Sequence, residues 1–270
     1  MEITGLKAKK AELFAILERF DSLLVAFSGG IDSTLLLAAA REVLKGRVTC
    51  VTAISAVCSK QEVDNAAALA KQLGANHIIS HPGIMDDGEF LKNTRERCRI
   101  CKQIIFSDFR KISDKLGIKE IAHGVNMDDF NDYRPGIAAA KEMGIRSPFA
   151  EAGFDKQMIR TLAKQMSLPN WDKPAMACLA TRIPFGTPIN VNLLKMIEKA
   201  EAVLLSSGFR TCRVRHHGDV ARIETDKEGF EKIINQDTRE YITEQLKALG
   251  FLYVAIDLQG YVQGSLNPVI

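Results

Sequence analysis

The chain has 270 residues, of which 46% are hydrophobic and 26% are charged. This composition is typical of a soluble globular protein with one large or two modest domains, and it excludes a disordered chain, a collagen-like repeat and a disulfide scaffold. The 36 lysines and arginines against 33 acids leave a net charge of +3. That charge is too small to indicate nucleic acid or an anionic membrane as the partner.

Apolar runs such as Leu35 to Ala40 are far shorter than the roughly 20 residues that a membrane helix needs, and the amino-terminal residues contain no signal-peptide core. We therefore expect a cytoplasmic protein with no membrane partner. The chain contains six cysteines. In a reducing compartment, cysteines are buried apolar residues, catalytic thiols or metal ligands rather than disulfides.

Strand-like and helical segments alternate along the first half of the chain. The strand-like segments are residues 22–27, 47–53, 76–80 and 119–123. The helical segments are residues 2–20, a helix that opens after 28–30, then 59–73 and 102–116. This alternation predicts an α/β fold with a parallel, doubly wound sheet, which binds ligands beyond the carboxyl ends of its strands.

The second half of the chain has a different pattern. Residues 147–188 are rich in turn residues and contain one helix-like stretch. We interpret this segment as a linker that contributes residues to the functional site. Helical and strand-like segments then alternate again around a hairpin turn near residue 218. We expect an α/β domain over residues 1–187, linker included, and a smaller α+β domain for substrate binding and oligomerisation over residues 188–270.

The segment Ser28-Gly-Gly-Ile-Asp-Ser-Thr34 lies between an apolar strand and a helix. Glycines in this position let backbone N–H groups approach phosphate oxygens at a helix amino terminus. The loop lacks the lysine of kinase-type phosphate loops, so it suits pyrophosphate as a leaving group. Asp32 would repel phosphate unless it binds Mg²⁺. The alternative is an ordinary glycine turn with a capping serine. The expected ATP contacts are Ser28, Gly29, Gly30, Asp32 and Ser33.

A second polar group follows the strand that ends near His123. Asn126, Asp128 and Asp129 should lie at the carboxyl edge of the sheet, beside the phosphate loop. Such side chains can hold Mg²⁺ or a ribose, and Arg134 can bind a phosphate or carboxylate in a bidentate manner. The alternative is a solvated acidic loop in which Asp128 caps a turn.

Three of the cysteines stand out. Cys98 and Cys101 form a CxxC pair flanked by basic residues, which should stabilise thiolates. A structural zinc site needs four ligands, whereas three thiolates, with Cys178 as the third, can hold a [4Fe–4S] cluster with one open iron. The alternatives are a redox pair and buried structural thiols. Cys50 and Cys212 are expected in the core, and the role of Cys58 stays open.

The motif Ser28-Gly-Gly-Ile-Asp-Ser33 resembles the SGGxDS loop of the PP-loop ATP pyrophosphatases. Further blocks together resemble the LarE family of ATP-dependent sulfur transferases over almost the whole chain. These blocks are Gly124-Val-Asn-Met-Asp-Asp129, Asp132-Tyr-Arg-Pro-Gly136, Ser147-Pro148, Trp171-Asp-Lys-Pro-Ala175, Cys178-Leu-Ala-Thr-Arg-Ile-Pro-Phe-Gly186 and Arg213-Val-Arg-His-His-Gly-Asp219.

This resemblance implies adenylation of pyridinium-3,5-biscarboxylic acid mononucleotide and its conversion to a thiocarboxylate, in the synthesis of the nickel-pincer cofactor of lactate racemase. The sulfur comes either from Cys178 itself or from sulfide on the three-cysteine cluster. It also implies a homo-oligomer, such as a hexamer. The remaining site residues that we assign are Asp32, Cys178 and Arg182 for catalysis, Arg134, Arg213, Arg215 and Glu201 for the substrate, and Glu224 for a metal.

From spacing alone, Arg213, Arg215, Arg222 and Glu224 fit the solvent face of a hairpin as well as they fit a phosphate site. Three other functions compete with sulfur transfer to a nucleotide. A tRNA thiolase would bind RNA in a salt-sensitive manner. An amide-forming synthetase of the GMP- or NAD-synthetase type would need ammonia and no cysteine. A nucleotide-sensing module would bind without turnover.

Overall fold

A computed structural model describes residues 3–131, 134–173 and 177–262. The helices are α1 (Ile3–Leu17), α2 (Ile31–Leu44), α3 (Lys60–Gln72), α4 (Gly88–Leu91), α5 (Arg97–Lys115), α6 (Pro135–Glu142), α7 (Pro148–Glu151), α8 (Lys156–Gln165), α9 (Val191–Ser206), α10 (Lys227–Ile234) and α11 (Gln236–Ala248). The strands are β1 (Leu23–Ala26), β2 (Val48–Ala53), β3 (Asn76–Ser80), β4 (Glu120–Ala122), β5 (Cys212–His217), β6 (Val220–Thr225) and β7 (Tyr253–Ile256).

The chain divides into two compact units. Unit 1 comprises Met1–Asp87 and Glu96–Met176, and unit 2 comprises Gly88–Arg95 and Ala177–Ile270. The predicted boundary at 187/188 differs from this division, since residues 177–187 belong to unit 2. Hydrogen bonds within unit 2 explain the difference. The Thr181 carbonyl accepts from Nη1 of Arg215 at 2.8 Å. The buried amide of Asn93 donates to the carbonyls of Pro184 and Thr187, at 2.9 and 2.8 Å.

Unit 1 contains a four-stranded sheet with the order β3-β2-β1-β4. All of its strand pairs are parallel, which confirms the predicted α/β class. Successive side chains of a strand point to opposite faces. Accordingly Leu23 and Val25 pack into one apolar cluster, whereas Leu24 packs into a second cluster with Phe106 of α5. Because both faces are covered, the loops at the strand ends remain as the place for ligands.

Helix α5 begins at Arg97, five residues before the predicted start. Cys98 and Cys101 therefore lie in its first turns, on one side of the helix because residues three apart are neighbours there. Within the described part of the chain, no helix has the length and apolar character needed to cross a membrane.

Unit 2 is built on a three-stranded sheet with the order β5-β6-β7. Strands β5 and β6 form an antiparallel hairpin, and β7 pairs with β6 in parallel. Apolar side chains of the sheet, such as Val214 and Ile223, pack with Leu204 of α9 and Leu246 of α11. In the hairpin register Arg213 faces Glu224 and Arg215 faces Arg222. The sequence prediction of a small α+β element is consistent with this arrangement.

Candidate active site

The phosphate loop joins β1 to α2 at the carboxyl edge of the unit 1 sheet. Gly29 has φ +71°, and a Cβ on it would lie 2.9 Å from Cα of Ala66. Only glycine fits such a backbone without strain. Helix α2 begins after Gly30, and this N-cap residue has no side chain with which to cap the helix. The N–H groups of its first turn are therefore available to an anion.

The side chains of the loop close it internally. Ser33 Oγ donates to the Gly30 carbonyl at 3.0 Å and accepts from the Ser28 N–H at 3.2 Å. The Gly30 N–H meets Ser28 Oγ at 3.4 Å, which is long for a hydrogen bond. A phosphate oxygen is a stronger acceptor than this hydroxyl, so the loop has the geometry of the predicted phosphate nest.

Asp32 lies in the first turn of α2, and its two oxygens have different surroundings. Oδ2 is 2.5 Å from Nζ of Lys156 at the start of α8. Oδ1 is buried and accepts no hydrogen bond from the residues that the structure describes. A carboxylate oxygen without a partner at a phosphate-binding helix end has the chemistry of a Mg²⁺ ligand. The donor set thus fits the predicted metal ion of ATP.

Lys156 is a candidate site residue that the sequence alone did not single out. The loop itself has no lysine, but α8 brings one to it from 124 positions further along the chain. An N-capping Asp155, which accepts from the Met158 N–H at 2.7 Å, holds Lys156 at the start of the helix. An acid that caps a helix and a lysine directly after it form the only local signal for this role, and the pattern is common in helices without function.

Asn126 and Asp128 are brought to the same place. The backbone N–H of Lys156 donates to Oδ2 of Asp128 at 2.9 Å. Asn126 is buried, and its Oδ1 accepts from the Asp128 N–H at 3.0 Å. A Cβ on Gly124 would lie 2.9 Å from the Asp32 backbone, so this loop lies directly against the phosphate loop. The predicted neighbourhood of the two loops is therefore present.

Arg134 donates to Asp129, whose other oxygen accepts from the Asn126 N–H at 3.0 Å. Both partners of this ion pair thus shape the loop, and substrate binding by Arg134 stays a prediction. Other positions of the quoted motifs, Asp132, Tyr133, Pro174 and Ala175, lie outside the described residues.

The CxxC pair has different exposures, since Cys98 is exposed and Cys101 is half-buried. Burial raises the pKa of the Cys101 thiol to about 11, more than the nearby Lys102 lowers it, and the neighbouring Cys98 and Cys58 add to the rise. The expectation that the basic flank stabilises thiolates is therefore wrong for Cys101. One of the flanking arginines, Arg99, forms an ion pair with Glu142 at 2.5 Å.

This difference predicts the order of alkylation in metal-free protein. At about pH 8 only about one Cys101 in a thousand would be a thiolate, so iodoacetamide should modify the exposed Cys98 long before it modifies Cys101. The rate at Cys101 should rise tenfold with each pH unit up to about 11. Peptide mass spectrometry at several pH values measures both rates. Equal rates at neutral pH would contradict the burial of Cys101.

The other cysteines of the chain separate clearly by location. Cys50 and Cys212 are buried in β2 and β5, which confirms that they belong to the core. Burial raises the pKa of each to about 12. Cys58 is half-buried and donates to the Ala53 carbonyl at 3.7 Å. Among the described residues no disulfide is formed.

Cys178 belongs to unit 2 and is exposed at the start of a short turn, Leu179–Arg182. Nη1 of Arg182 donates to the Cys178 carbonyl at 2.9 Å and also to that of Ala177. The same guanidinium binds Glu201 in a bidentate manner, at 2.8 and 2.9 Å. Arg182 is 2% exposed, so its contacts hold the backbone that carries the thiol.

The hairpin carries a buried ionic network. Glu224 is fully buried, and its two oxygens accept from Arg215 at 2.8 Å and from Arg222 at 3.0 Å. The guanidinium of Arg213 lies 5.1 Å from the ring centre of Tyr261. Burial rules out the alternative that Arg213, Arg215 and Glu224 form a solvent face. Because both oxygens of Glu224 already accept hydrogen bonds, a metal there would have to displace an arginine.

No group of three or more Cys, His, Asp and Glu side chains with the spacing of a metal site occurs among the described residues. The predicted thiol ligands are distributed over the two units, with Cys98 and Cys101 in unit 1 and Cys178 in unit 2. The thiol chemistry suits an iron–sulfur cluster, and the ligand set stays a prediction.

A family profile described as Asparagine synthase matches residues 17–127, which contain all four strands of the unit 1 sheet. The pyridinium-3,5-bisthiocarboxylic acid mononucleotide synthase of Lactiplantibacillus plantarum is 38% identical, over 98% of this chain and 96% of that protein. An uncharacterised protein of Synechocystis is 36% identical, over 98% of this chain and 99% of that protein. Another uncharacterised protein, from Methanocaldococcus jannaschii, is 32% identical, over 88% of this chain and 90% of that protein.

The matches to the Lactiplantibacillus plantarum and Synechocystis proteins cover 98% of the chain, and so they extend over the phosphate loop, the Lys156 helix and unit 2 alike. The nucleotide loop and the full-length match agree with each other, because each is associated with an ATP-dependent enzyme. The chain therefore belongs to the LarE family of ATP-dependent enzymes, within the PP-loop superfamily.

Proposed function

We propose that this enzyme adenylates a carboxylate of pyridinium-3,5-biscarboxylic acid mononucleotide and converts it to a thiocarboxylate. The product belongs to the synthesis of the nickel-pincer nucleotide, the cofactor of lactate racemase. The observation that carries the adenylation chemistry is Asp32 at the phosphate loop: its buried Oδ1 accepts no hydrogen bond from any described residue, while Lys156 binds Oδ2. The 38% identity to the synthase named above supports the choice of substrate.

Adenylation begins with ATP and Mg²⁺ at the phosphate loop. Ser28, Gly29, Gly30 and Ser33 would surround the phosphates, and Asp32 would hold the Mg²⁺, which would neutralise their charge. Asn126 and Asp128 would bind the ribose or the same metal ion. A substrate carboxylate oxygen attacks the α-phosphorus, the bond to the bridging oxygen of pyrophosphate breaks, and an acyl-adenylate remains. Lys156 stabilises the charge that develops on the leaving pyrophosphate.

Sulfur transfer is a nucleophilic acyl substitution. Hydrosulfide attacks the carbonyl carbon of the acyl-adenylate, and the bond to the AMP oxygen breaks, with AMP as the leaving group. The thiocarboxylic acid that forms loses its proton to water and gives the thiocarboxylate. Cys98, Cys101 and Cys178 would hold a [4Fe–4S] cluster, which supplies an open iron for sulfide when it is bound. In the alternative route the Cys178 thiolate attacks the carbonyl carbon, AMP leaves and a thioester forms. Loss of the Cα proton of Cys178 to water then breaks its Cβ–S bond, which releases the thiocarboxylate and leaves dehydroalanine.

Unit 2 would bind the phosphate of the mononucleotide through Arg213 and Arg215, with Arg134 of unit 1 and Glu201 as further predicted contacts. Both hairpin arginines are buried, and Arg215 is held by Glu224 and by the Thr181 carbonyl, each at 2.8 Å. Arg182, which binds Glu201 and the Cys178 carbonyl, would act by positioning that thiol. A metal at Glu224 is the least supported part of this proposal, for the reason given above.

We also propose a homo-oligomer that works in the cytoplasm and receives sulfide or sulfur from a donor. The six cysteines and the absence of a disulfide from the described residues are consistent with a reducing compartment. Neither a membrane nor a nucleic acid is part of this proposal.

Replacing Lys156 by methionine is expected to slow pyrophosphate release about 100-fold, the usual loss when one preorganised charge donor is removed. The methionine keeps the length of the side chain and removes its charge. Lys164 of the same helix, which lies over the ring of Trp171, provides the control Lys164→Met with normal turnover. Substrate-dependent release of pyrophosphate from ATP is the measurement. Turnover by Lys156→Met within threefold of the unmodified enzyme would contradict the role.

The function itself is tested with anaerobically purified enzyme, Mg·ATP, sulfide and the biscarboxylic acid mononucleotide. We expect AMP and pyrophosphate in equal amounts, and a product in which mass spectrometry finds an oxygen replaced by sulfur. Parallel reactions with tRNA and with ammonia test the competing functions. Thiolation of tRNA, or an amide formed from ammonia without sulfur transfer, would refute the proposal.

A further inference from the structure

Asn170 is a buried side chain that contacts the phosphate loop from a distant part of unit 1. It is 5% exposed and lies in the turn that follows α8. Its Nδ2 donates to the Gly29 carbonyl and to Thr34 Oγ1, both at 3.0 Å. Thr34 Oγ1 itself donates to the Gly30 carbonyl at 2.9 Å, so it must accept from Asn170. These two partners determine which end of the amide is the nitrogen.

The contact with Gly29 determines the direction of a neighbouring N–H. The Gly29 carbonyl and the Gly30 N–H belong to the same planar trans peptide, so they point in opposite directions. Anchoring the carbonyl on Asn170 therefore aims the N–H away from the protein side of the loop. Two adjacent glycines have many accessible backbone conformations, and without this anchor the peptide could rotate.

The Gly30 N–H makes only a weak hydrogen bond within the loop, since its distance to Ser28 Oγ is 3.4 Å. Gly30 is also exposed, whereas Gly29 is buried. A phosphate oxygen that approaches the exposed side of the loop thus finds a donor already oriented. A loop that is already ordered before binding loses less conformational entropy than a flexible loop when the ligand binds.

The other end of the amide argues against a role in folding alone. Asn170 Oδ1 is buried and accepts no hydrogen bond within residues 3–131, 134–173 and 177–262. A buried acceptor without a partner lowers stability, so this side chain is retained at a cost. Such costs are typical of functional positions.

We propose that Asn170 is a positioning residue for the phosphates of ATP and acts by presenting the Gly30 N–H to them. This inference rests on ATP use at the loop, which is part of the proposed function. It concerns the pyrophosphate portion of the nucleotide and not the adenosine portion, because Asn170 contacts Gly29 and Thr34 and thereby orients the peptide that faces the phosphates.

The test compares Asn170→Asp and Asn170→Ser with the unmodified protein by calorimetry. Aspartate keeps the shape but turns an acceptor toward the Gly29 carbonyl, and serine is too short to reach it. Three probes are titrated, namely Mg·ATP, Mg·pyrophosphate and adenosine. We expect both variants to bind the two phosphate ligands about 10-fold more weakly, the effect of one hydrogen bond to a charged group, and adenosine unchanged.

Asn76→Asp is a matched control, because Asn76 Nδ2 also donates to a threonine hydroxyl, that of Thr49, at 3.1 Å. Asn76 is the first residue of β3 and Thr49 is the second of β2, so they lie at the opposite edge of the sheet from the phosphate loop. The control should therefore bind all probes normally. Unchanged pyrophosphate binding in both Asn170 variants would overturn the inference, and so would an equal loss of adenosine binding. If the unmodified protein bound no Mg·ATP, the proposed function would fail first, and the inference with it.

Discussion

Asp32→Asn should lower the release of pyrophosphate from ATP by about 1000-fold or more, with the fold intact. The substitution keeps the shape of the side chain but removes the charge that attracts Mg²⁺ to Oδ1. It also places an amide where Lys156 Nζ now finds a carboxylate oxygen. Two functions of one side chain are lost together, so the effect should exceed that of Lys156→Met.

Stability should change little, because the Asp32–Lys156 pair is partly solvated. The two side chains are 27% and 30% exposed, and such ion pairs contribute about 1 kcal/mol or less. Glu151→Gln, which removes the ion pair with Arg146 in the same unit, serves as the control with normal turnover. Near-normal pyrophosphate release from folded Asp32→Asn would show that Asp32 does not hold the metal.

Cys178→Ala should abolish sulfur transfer while pyrophosphate release continues. The thiol is exposed in unit 2, and the phosphate loop contains no thiol, so adenylation does not need it. This separation of the two half-reactions is the main expectation. It is measured by following pyrophosphate and thiolated product in the same reaction. Full sulfur transfer by the variant would contradict both routes described above.

The other thiols distinguish the two routes. If a cluster carries the sulfide, then Cys98→Ala and Cys101→Ala should each remove most of the iron from anaerobically purified protein, since three ligands cannot spare one. If Cys178 is the sulfur source, both variants should stay active, and the spent enzyme should lose the mass of H₂S, about 34 Da, as cysteine becomes dehydroalanine. Cys58→Ala is the control and should keep its iron. Iron loss in this control would instead indicate a fourth ligand.

Local patterns were sufficient for the elements that carry the nucleotide. An apolar strand, two glycines and a largely apolar helix occur consecutively, so β1, the phosphate loop and α2 follow from the sequence around Ser28. The alternation of strands and helices likewise predicted the parallel sheet of unit 1. Cys50 and Cys212 were assigned to the core because they lie in apolar strand patterns. In each case the information lies within a few residues of the feature.

The ionisation of a cysteine cannot be predicted from its sequence neighbours alone. The basic residues around the CxxC pair suggested thiolates, yet burial raises the pKa of Cys101 to about 11. The sequence shows how many charged residues lie near the thiol along the chain. It does not show whether their side chains point toward the thiol, or how far the thiol is shielded from solvent. Arg99, for example, is paired with Glu142, which lies 43 positions away in the chain. Desolvation is a property of the packed structure.

Only the tertiary structure brought Lys156 to Asp32 and Asn170 to Gly29, over separations of 124 and 141 positions. It also joined residues 88–95 to unit 2, through the contacts of Asn93 with the loop after Cys178. The physical reason is the same in both cases. Secondary structure depends on periodicity and turn residues over short windows, whereas the partner of a buried polar group is chosen by the path of the whole chain. The sequence by itself therefore determined the nucleotide loop, and the fold determined which side chains complete it.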